Sequence, residues 1–443
     1  MISWVAPGYL GTPTHFTNYY QGPIELGLYE DSTDSEQRRS LKTLKALMKD
    51  IEPKVQRKDI SAVKDELKPK VEFVINISLT KLQSAAYKLF VQGVQNIATD
   101  ALVSKSTLDW LNLLALLCDH PAPFMDKLQQ RDEVNSAVAA ERANRARSGS
   151  AEGEEDVDMR RLSLPEGLFK REQDLFVAIP QPRHVRLSFK MVMIQKIVQE
   201  SHRVGDKVLI FSHWIPVLDY IEAMLKTEKS PALRVGRLDG NTKIGDRQAM
   251  TKAMNDGKYD VLLISTTAGG IGLNIYGANR VILVDFRYNP ANEEQAVGRA
   301  YRLGQPKPVC VYHLLTAGTF EQPLHHITIF KRQLASRVLD HKNPQRAAQK
   351  SREMLFEPKR VESQDLSHVQ GMDAVLDAVL KSEVGSTVTS ITTTDSLHRD
   401  IDERLTEEEE IEVEQIRAKM KELQAMTGQP QIAYTGSPYM GQA

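Results

Sequence analysis

Cysteine is scarce in this sequence, with only Cys118 and Cys310 among 443 residues. That excludes a disulfide framework and a zinc site built from four cysteines, and it fits reduced thiols in a cytosolic or nuclear compartment. No run of about 18 apolar residues exists, so no membrane-spanning helix is expected. The opening residues, Met1 to Gly8, lack a charged stretch followed by an apolar one, which argues against secretion. They read instead like the interior of a folded domain. An excess of one charge is missing too: 57 Lys+Arg face 58 Asp+Glu, a formal net charge of −1. Nucleic-acid binding through overall basicity is thereby excluded, although a local basic patch is not. What is present is 41% hydrophobic and 26% charged residues, the balance of a soluble globular protein. At roughly 150 residues per domain the length allows two or three domains.

Composition and periodicity divide the chain into zones. In residues 1–80, turn signals such as Pro7-Gly8 and Gly22-Pro23 surround one helical pattern near 36–51. There Leu41, Leu44, Leu47, Met48 and Ile51 recur at spacings of three and four. Alternating Val71, Phe73, Ile75 and Ile77 predict a strand. Residues 81–125 carry apolar helical patterns around 83–90 and 108–117, best read as core packing. Residues 126–182 turn small, charged and, at Glu154-Glu155-Asp156, acidic. Such a composition buries little apolar surface and predicts a linker or insertion. Residues 343–443 read as a low-complexity tail, rich in Ser and Thr at 384–394, with one charged helix at 401–424. Its Ile401, Leu405, Ile416, Met420 and Leu423 form a sparse stripe near the acidic run Glu407-Glu408-Glu409-Glu410. A solvated helix is the favoured reading there, a partner-binding one the alternative.

Residues 183–342 are the most regular. Short apolar runs at 207–211, 234–238, 261–265, 281–284 and 309–315 alternate with helical patterns at 215–226, 246–255 and 291–301. This predicts an α/β fold with a parallel sheet covered on both faces. Ligands in such folds sit at the carboxyl ends of the strands.

Two motifs fall at those ends. Ser265-Thr266-Thr267-Ala268-Gly269-Gly270-Ile271-Gly272-Leu273-Asn274 directly follows a predicted strand. Small hydroxyls and glycines let backbone N–H groups approach phosphate oxygens, though a tight turn alone would also use them. Further on comes Gln295-Ala296-Val297-Gly298-Arg299-Ala300-Tyr301-Arg302-Leu303-Gly304-Gln305. On a helix Gln295, Arg299 and Arg302 stand at i, i+4 and i+7, hence on one face. Two guanidiniums held together beside a phosphate-type loop suit the charge of a phosphoryl-transfer transition state. His325-His326 lacks a third ligand at suitable spacing, so no metal site is expected. Trp214 and Phe211 read as packing residues.

The run 207–305 resembles the second RecA-like lobe of the Swi/Snf-type chromatin-remodelling ATPases of helicase superfamily two. Val208-Leu209-Ile210-Phe211-Ser212-His213-Trp214 looks like that family's motif IV, and Arg237-Leu238-Asp239-Gly240-Asn241-Thr242 like the element after it. Residues 265–274 resemble motif V and 295–305 motif VI. Between them 285–290 match, although Tyr288 stands where tryptophan is usual. Outside the lobe, 53–57 and 70–87 resemble the connection leaving lobe one. Cys118-Asp119-His120-Pro121 looks like the short motif ending the inter-lobe helices, and 319–339 like a brace helix.

The resemblance implies a division of roles. Arg299 and Arg302 would contact the γ-phosphate side of ATP, with Gln295, Gly269, Gly270 and Gly298 around the nucleotide. Asn241, Thr242, Ser265 and Thr266 would face DNA phosphates. Thr267 occupies a place often filled by Lys or Arg. Asp239 and Asp285 would orient loops. The implied partners are double-stranded DNA or a nucleosome and a first motor lobe, in cis or trans, in the nucleus; the acidic insertion and the tail could add protein partners. Yet the sequence has no Gly-Lys followed by Ser or Thr, and none of its Asp-Glu pairs continues as an Asp-Glu-x-His box. In the family both elements, and the Mg2+ they hold, belong to lobe one. The chain is therefore expected to begin near the end of that lobe and not to hydrolyse ATP alone. A non-catalytic DNA- or protein-binding module derived from such a motor is the alternative, and an RNA helicase of the same superfamily is disfavoured.

Overall fold

Strand β4 (Val261–Ser265) is buried along its whole length, as are β2 (Val208–Ser212), β5 (Arg280–Leu283) and β6 (Val309–Thr316). Side chains that alternate in a fully buried strand must serve two cores at once. Val208 and Ile210 of β2 face one apolar layer and Leu209 and Phe211 the other; Val261 and Leu263 of β4 part from Leu262 and Ile264 in the same way. That is why these runs read as continuous hydrophobic stretches rather than as alternating ones.

The computed structural model describes residues 2–56, 66–95, 103–148, 165, 167–227, 232–269, 273–340, 342–344, 346, 348, 353–394 and 403–426. They fall into two units, one of 1–62, 329–350 and 397–443, the other of 63–328 and 351–396. The second unit holds a seven-stranded sheet in the order β3-β4-β2-β5-β6-β1-β7, with β1 at Lys70–Ile77, β3 at Val235–Leu238 and β7 at Val388–Thr393. All neighbours are parallel except β1 and β7. The fold is the RecA-like α/β sandwich that the sequence predicts. One face packs helices α2 (Lys81–Gln95), α3 (Val103–Asp119), α4 (Pro121–Ser148), α6 (Phe189–Arg203) and α7 (Ile215–Thr227). The other packs Met254 of α8 (Ile244–Asn255) and Ala296, Val297 and Ala300 of α9 (Ala291–Ala300). Helix α6 starts where it does because the Ser188 side chain accepts the Met191 N–H at 3.3 Å.

Three segments differ from the compositional zones. The strand expected at 71–77 is β1, which pairs with β6 in register from Lys70↔Val309 to Ile77↔Thr316 and so belongs to the sheet of the 183–342 zone. Long-range pairing leaves no local mark in composition. The first part of the supposed linker is helical to Ser148 within α4, while residues 149–164 lie outside the described residues. The Ser/Thr-rich stretch at 384–394 supplies the edge strand β7, where Asn76 Nδ2 donates to Ser390 Oγ at 3.0 Å and Thr389 Oγ1 to the Asn76 carbonyl at 3.2 Å. This part of the presumed tail is fixed by a buried ion pair between Arg280 and Asp373, with the Tyr312 hydroxyl donating to Asp373 at 2.5 Å. Gly318 has φ 72°, and a Cβ there would come within 1.9 Å of the Lys359 carbonyl oxygen, so only glycine permits the segment to lie so close.

Helix α5 (Leu168–Val177) carries Glu172 fully buried, and neither carboxylate oxygen has a hydrogen-bond partner among the described residues. Burial pushes its pKa up to about 8, the nearby Arg171 opposing weakly. With the folded value above the unfolded one, Glu172 costs nothing below about pH 4.5. Its penalty grows as pH rises towards 8. Glu172→Gln should therefore raise the melting temperature at pH 8 and leave it unchanged at pH 3.5; equal effects at both would contradict the buried, protonated carboxyl.

The first unit is helical. Helix α1 (Asp34–Ile51) opens on a capping box between Thr33 and Glu36. The brace-like helix α10 (Glu321–Asp340) contributes Phe330, and helix α12 (Glu407–Met426) contributes Val413 and Met420, to a core with Tyr20, Ile24, Leu44 and Leu47. Helix α12 begins at Glu407 rather than 401 because Thr406 and Glu409 exchange capping bonds: the Glu409 N–H donates to Thr406 Oγ1 at 3.3 Å, the Thr406 N–H to Glu409 Oε2 at 2.9 Å. Helix α11 (Ala374–Leu380), capped by Asp373, belongs to the sheet unit and buries Val375, Leu376 and Val379. Among the described residues no helix is long and apolar enough to cross a membrane.

Candidate functional site

Strands β3 and β4 are paired so that Leu238 lies opposite Ile264, and the residues beyond their carboxyl ends emerge side by side. Beyond β3 the chain turns on Asp239, whose carboxylate accepts the Asn241 N–H at 2.9 Å, while its own N–H donates to Thr242 Oγ1 at 3.0 Å. Arg237 anchors the turn from below through Asp239 at 2.8 Å and Glu222 at 2.9 Å. Arg247 anchors it from above, donating to the Thr242 carbonyl at 2.9 Å and the Asp239 carbonyl at 3.3 Å. Asn241 is left exposed at the tip and Thr242 half-buried.

Beyond β4 the residues Thr266–Gly269 form one helical turn. Ser265 and Thr266 are both buried: the Ser265 and Thr267 hydroxyls share a bond at 2.8 Å, and the Thr266 hydroxyl bonds His213 Nδ1. Their side chains are committed internally, and Thr267 is the exposed one. Gly269 closes the turn, whereas Gly270 lies outside the described residues. His213 follows β2. Its N–H donates to both Asp285 oxygens, at 3.0 and 3.1 Å, and the Ser212 hydroxyl donates to the same carboxylate. Burial lowers the His213 pKa despite the carboxylate beside it, so the ring is neutral at pH 7; with its ring on Thr266 and its backbone N–H on Asp285, the residue links the β2, β4 and β5 ends. Trp214 is half-buried under Arg287, whose guanidinium lies 4.7 Å from the ring centre.

The arginine segment differs from its sequence reading in one respect. Gln295, Gly298 and Arg299 ride on α9, but the helix stops at Ala300 because Tyr301 is extended, with φ −84° and ψ 92°. Arg302 therefore sits on the following turn, not on the same helical face. Gln305 explains the stop: its amide donates to the Ala300 carbonyl at 3.1 Å and the Ala278 carbonyl at 2.8 Å, satisfying a helix-end carbonyl that would otherwise lack a partner. Gly304 makes the turn with φ 92°. The two guanidiniums still meet electrostatically, since the Arg299 pKa is lowered first by burial and then by Arg302. Arg302 is exposed and pairs with no carboxylate among the described residues. Gln295 is exposed, and a Cβ at Gly298 would meet nothing within 4 Å, so packing does not demand glycine there.

The described residues on either side of the glycine-rich segment contact the helix that carries Arg299. The Ile275 N–H, just past the glycine-rich loop, donates to the Arg299 carbonyl at 3.0 Å, and the turn Thr266–Gly269 packs on α9. A rim with two cations crowding each other, open space at Gly298 and small residues alongside fits a polyanion better than a protein core. Among the described residues no cluster of His, Cys, Asp and Glu could hold a metal ion.

Residues 190–304 match the family described as helicase conserved C-terminal domain. This is a helicase C-terminal lobe of the Swi2/Snf2 type. Among its relatives, Protein CHROMATIN REMODELING 20 of Arabidopsis thaliana is 32% identical over 392 residues, covering 80% of this chain and 25% of the relative. DNA excision repair protein ERCC-6 of Mus musculus is 31% identical over 344 residues, covering 76% of this chain and 20% of the relative. A solved structure, the C-terminal part of the Fun30 ATPase domain, shares 24% identity with a TM-score of 0.42, covering 62% of this chain and 98% of that one. The chain thus spans about a quarter of the length of the first relatives.

The Swi2/Snf2-type lobe carries supporting residues around these loops that sequence reasoning left without a role. His213 lay within a recognised motif, but its bond to Thr266 joins positions 53 apart. Arg247 and Lys190 had no signal at all, since their partners are backbone carbonyls or distant carboxylates.

Proposed function

We propose that the chain supplies the second lobe of an ATP-driven DNA translocase or chromatin remodeller. In this role Arg299 and Arg302 complete a nucleotide site whose phosphate cradle and Mg2+ are held by a first lobe, in cis or in trans. The observation that supports the reading is the backbone bond from Ile275 to Arg299, which ties the segment following the phosphate-type motif to the helix that presents Arg299. ATP bound across the cleft would provide the energy of phosphoryl transfer. Gln295 and Gly298 border its approach, and the two guanidiniums offset charge on the transferring group. Without Gly-Lys-Ser/Thr and an Asp-Glu box this chain has negligible turnover by itself. The names of its relatives, a DNA excision repair protein and a DNA repair and recombination protein, support DNA as the polymer and the nucleus as the place of work. By composition alone, the acidic run at 154–156, which lies outside the described residues, and the carboxyl-terminal segment are the parts proposed to take protein partners.

DNA contact falls to exposed Asn241, to Thr267 and to backbone N–H groups of the loop rather than to the buried Ser265 and Thr266 hydroxyls. Binding should be independent of sequence and fall steeply with salt. Thr267→Lys adds one cation at the exposed position, so the slope of log K against log salt should steepen by about 0.9, and Thr267→Glu should weaken binding. Duplex titrations at several salt concentrations test this; identical curves for both variants would contradict loop contact with phosphates.

A further inference from the structure

Helix α1 carries Arg38, Lys42, Lys45 and Lys49 at i, i+4, i+7 and i+11, which places them in one stripe along one face. At about 1.5 Å rise per residue the stripe is roughly 16 Å long. Every cation in it is taken by a carboxylate of α12. Arg38 Nε donates to Glu409 at 2.8 Å, Lys42 pairs with Glu412, Lys45 with Glu410, and Lys49 with Glu414 at 2.9 Å. Arg417 of α12 answers with Asp50 of α1 at 2.8 Å. The apolar side of the same contact is thin: among the described side chains of α12 only Val413 and Met420 are fully buried, with Ile416 and Leu423 half-buried.

An interface built in this proportion is held mainly by exposed ion pairs, each individually weak and screened by salt. The acidic ladder of α12 presents to α1 a line of negative charges at regular intervals, as a nucleic-acid strand does. Leu44, Leu47 and Ile51 of α1 lie off the stripe, in the same core that Val413 and Met420 of α12 join, so the stripe itself offers charge and not apolar surface. We infer that α12 is a displaceable acidic cover over a phosphate-binding stripe on α1, and that duplex nucleic acid and α12 compete for Arg38, Lys42, Lys45 and Lys49. A phosphate backbone has an advantage in this competition, since neutralising it releases condensed counterions and neutralising a helix of glutamates does not. The inference concerns the helical unit alone and does not rest on the arginine site of the lobe.

The test uses the full chain and a duplex DNA without sequence preference, titrated by fluorescence anisotropy over a range of salt. The variant Glu409→Gln/Glu410→Gln/Glu412→Gln/Glu414→Gln should bind at least about tenfold tighter at low salt, with a slope steeper by about 3 to 4 from as many new phosphate contacts. Adding Lys42→Gln/Lys45→Gln/Lys49→Gln should abolish the gain, whereas adding Thr267→Glu should leave it intact, which separates this stripe from the loop of the lobe. Hydrogen exchange over 407–426 should rise when DNA is added to the unaltered chain. A second route to release, Val413→Ser/Met420→Ser, covers the case where the glutamine variant stays docked. Unchanged DNA affinity in a variant whose 407–426 amides exchange freely would overturn the proposal, as would a gain that survives loss of the three lysines.

Discussion

Lys190→Ala should cost about 3–5 kcal/mol of folding stability, the usual loss when one member of a buried charge cluster is removed. The Lys190 ammonium is buried in the sheet unit and reaches Asp119 at 2.9 Å, Glu321 at 3.0 Å and the Val284 carbonyl at 3.1 Å. Glu321 also accepts the Thr316 N–H at 2.6 Å. One side chain thus joins the end of α3, the end of β5 and the start of α10. Two buried carboxylates hold the ammonium charged and push its pKa up. Without it both would remain in the core beside each other, each uncompensated. Urea denaturation of Lys190→Ala measures the loss directly. Lys190→Met combined with Asp119→Asn and Glu321→Gln should recover much of it, because removing every charge is far cheaper than stranding two. A loss under about 1 kcal/mol for the single variant would mean that water or rearrangement satisfies the carboxylates.

Arg299→Ala should lower turnover by about 10³-fold or more in a protein where a phosphate-holding lobe accompanies this chain, the scale at which arginine fingers act. Arg299 is half-buried and its carbonyl is tied to Ile275, so its guanidinium is presented from a fixed base. Arg302 stands on a turn, exposed, and should contribute less. Arg299→Lys should not rescue activity, since a point charge cannot reproduce planar multi-donor recognition. Phosphate release in the presence of DNA reads the effect. DNA affinity without nucleotide should stay within about twofold if, as proposed, the guanidinium serves ATP and not the duplex. A fall of less than about tenfold would remove Arg299 from the transition state.

Much of the sheet was legible because a strand buried on both faces leaves a continuous apolar run, as at Val261-Leu262-Leu263-Ile264. Helices α7, α8 and α9 were legible from period and turn signals, with ends shifted by a residue or two. The misplacement of Arg302 has a local cause: helical spacing was extended past Ala300, and the residue that ends the helix, Gln305, does so through a carbonyl at Ala278 that no pattern reveals. Strand β7 escaped notice for the opposite reason. Val388 and Ile391 are too few to make a pattern, and the strand is held by β1, more than 300 residues earlier, whose Asn76 binds Ser390. The glycine-rich and arginine motifs were visible as chemistry; the His213 link and the Arg247 anchor, which set their geometry, depend on tertiary partners.

The central claim is that these guanidiniums serve a triphosphate gripped by a different stretch of polypeptide. Its most direct test is DNA-stimulated, Mg2+-dependent ATP turnover by the purified chain, measured alone and after adding a separately produced Swi2/Snf2-type first lobe. The account predicts no turnover above background for the chain alone, turnover when both are present, and its loss with Arg299→Ala. Sustained hydrolysis by the chain alone, abolished by that same substitution, would contradict it.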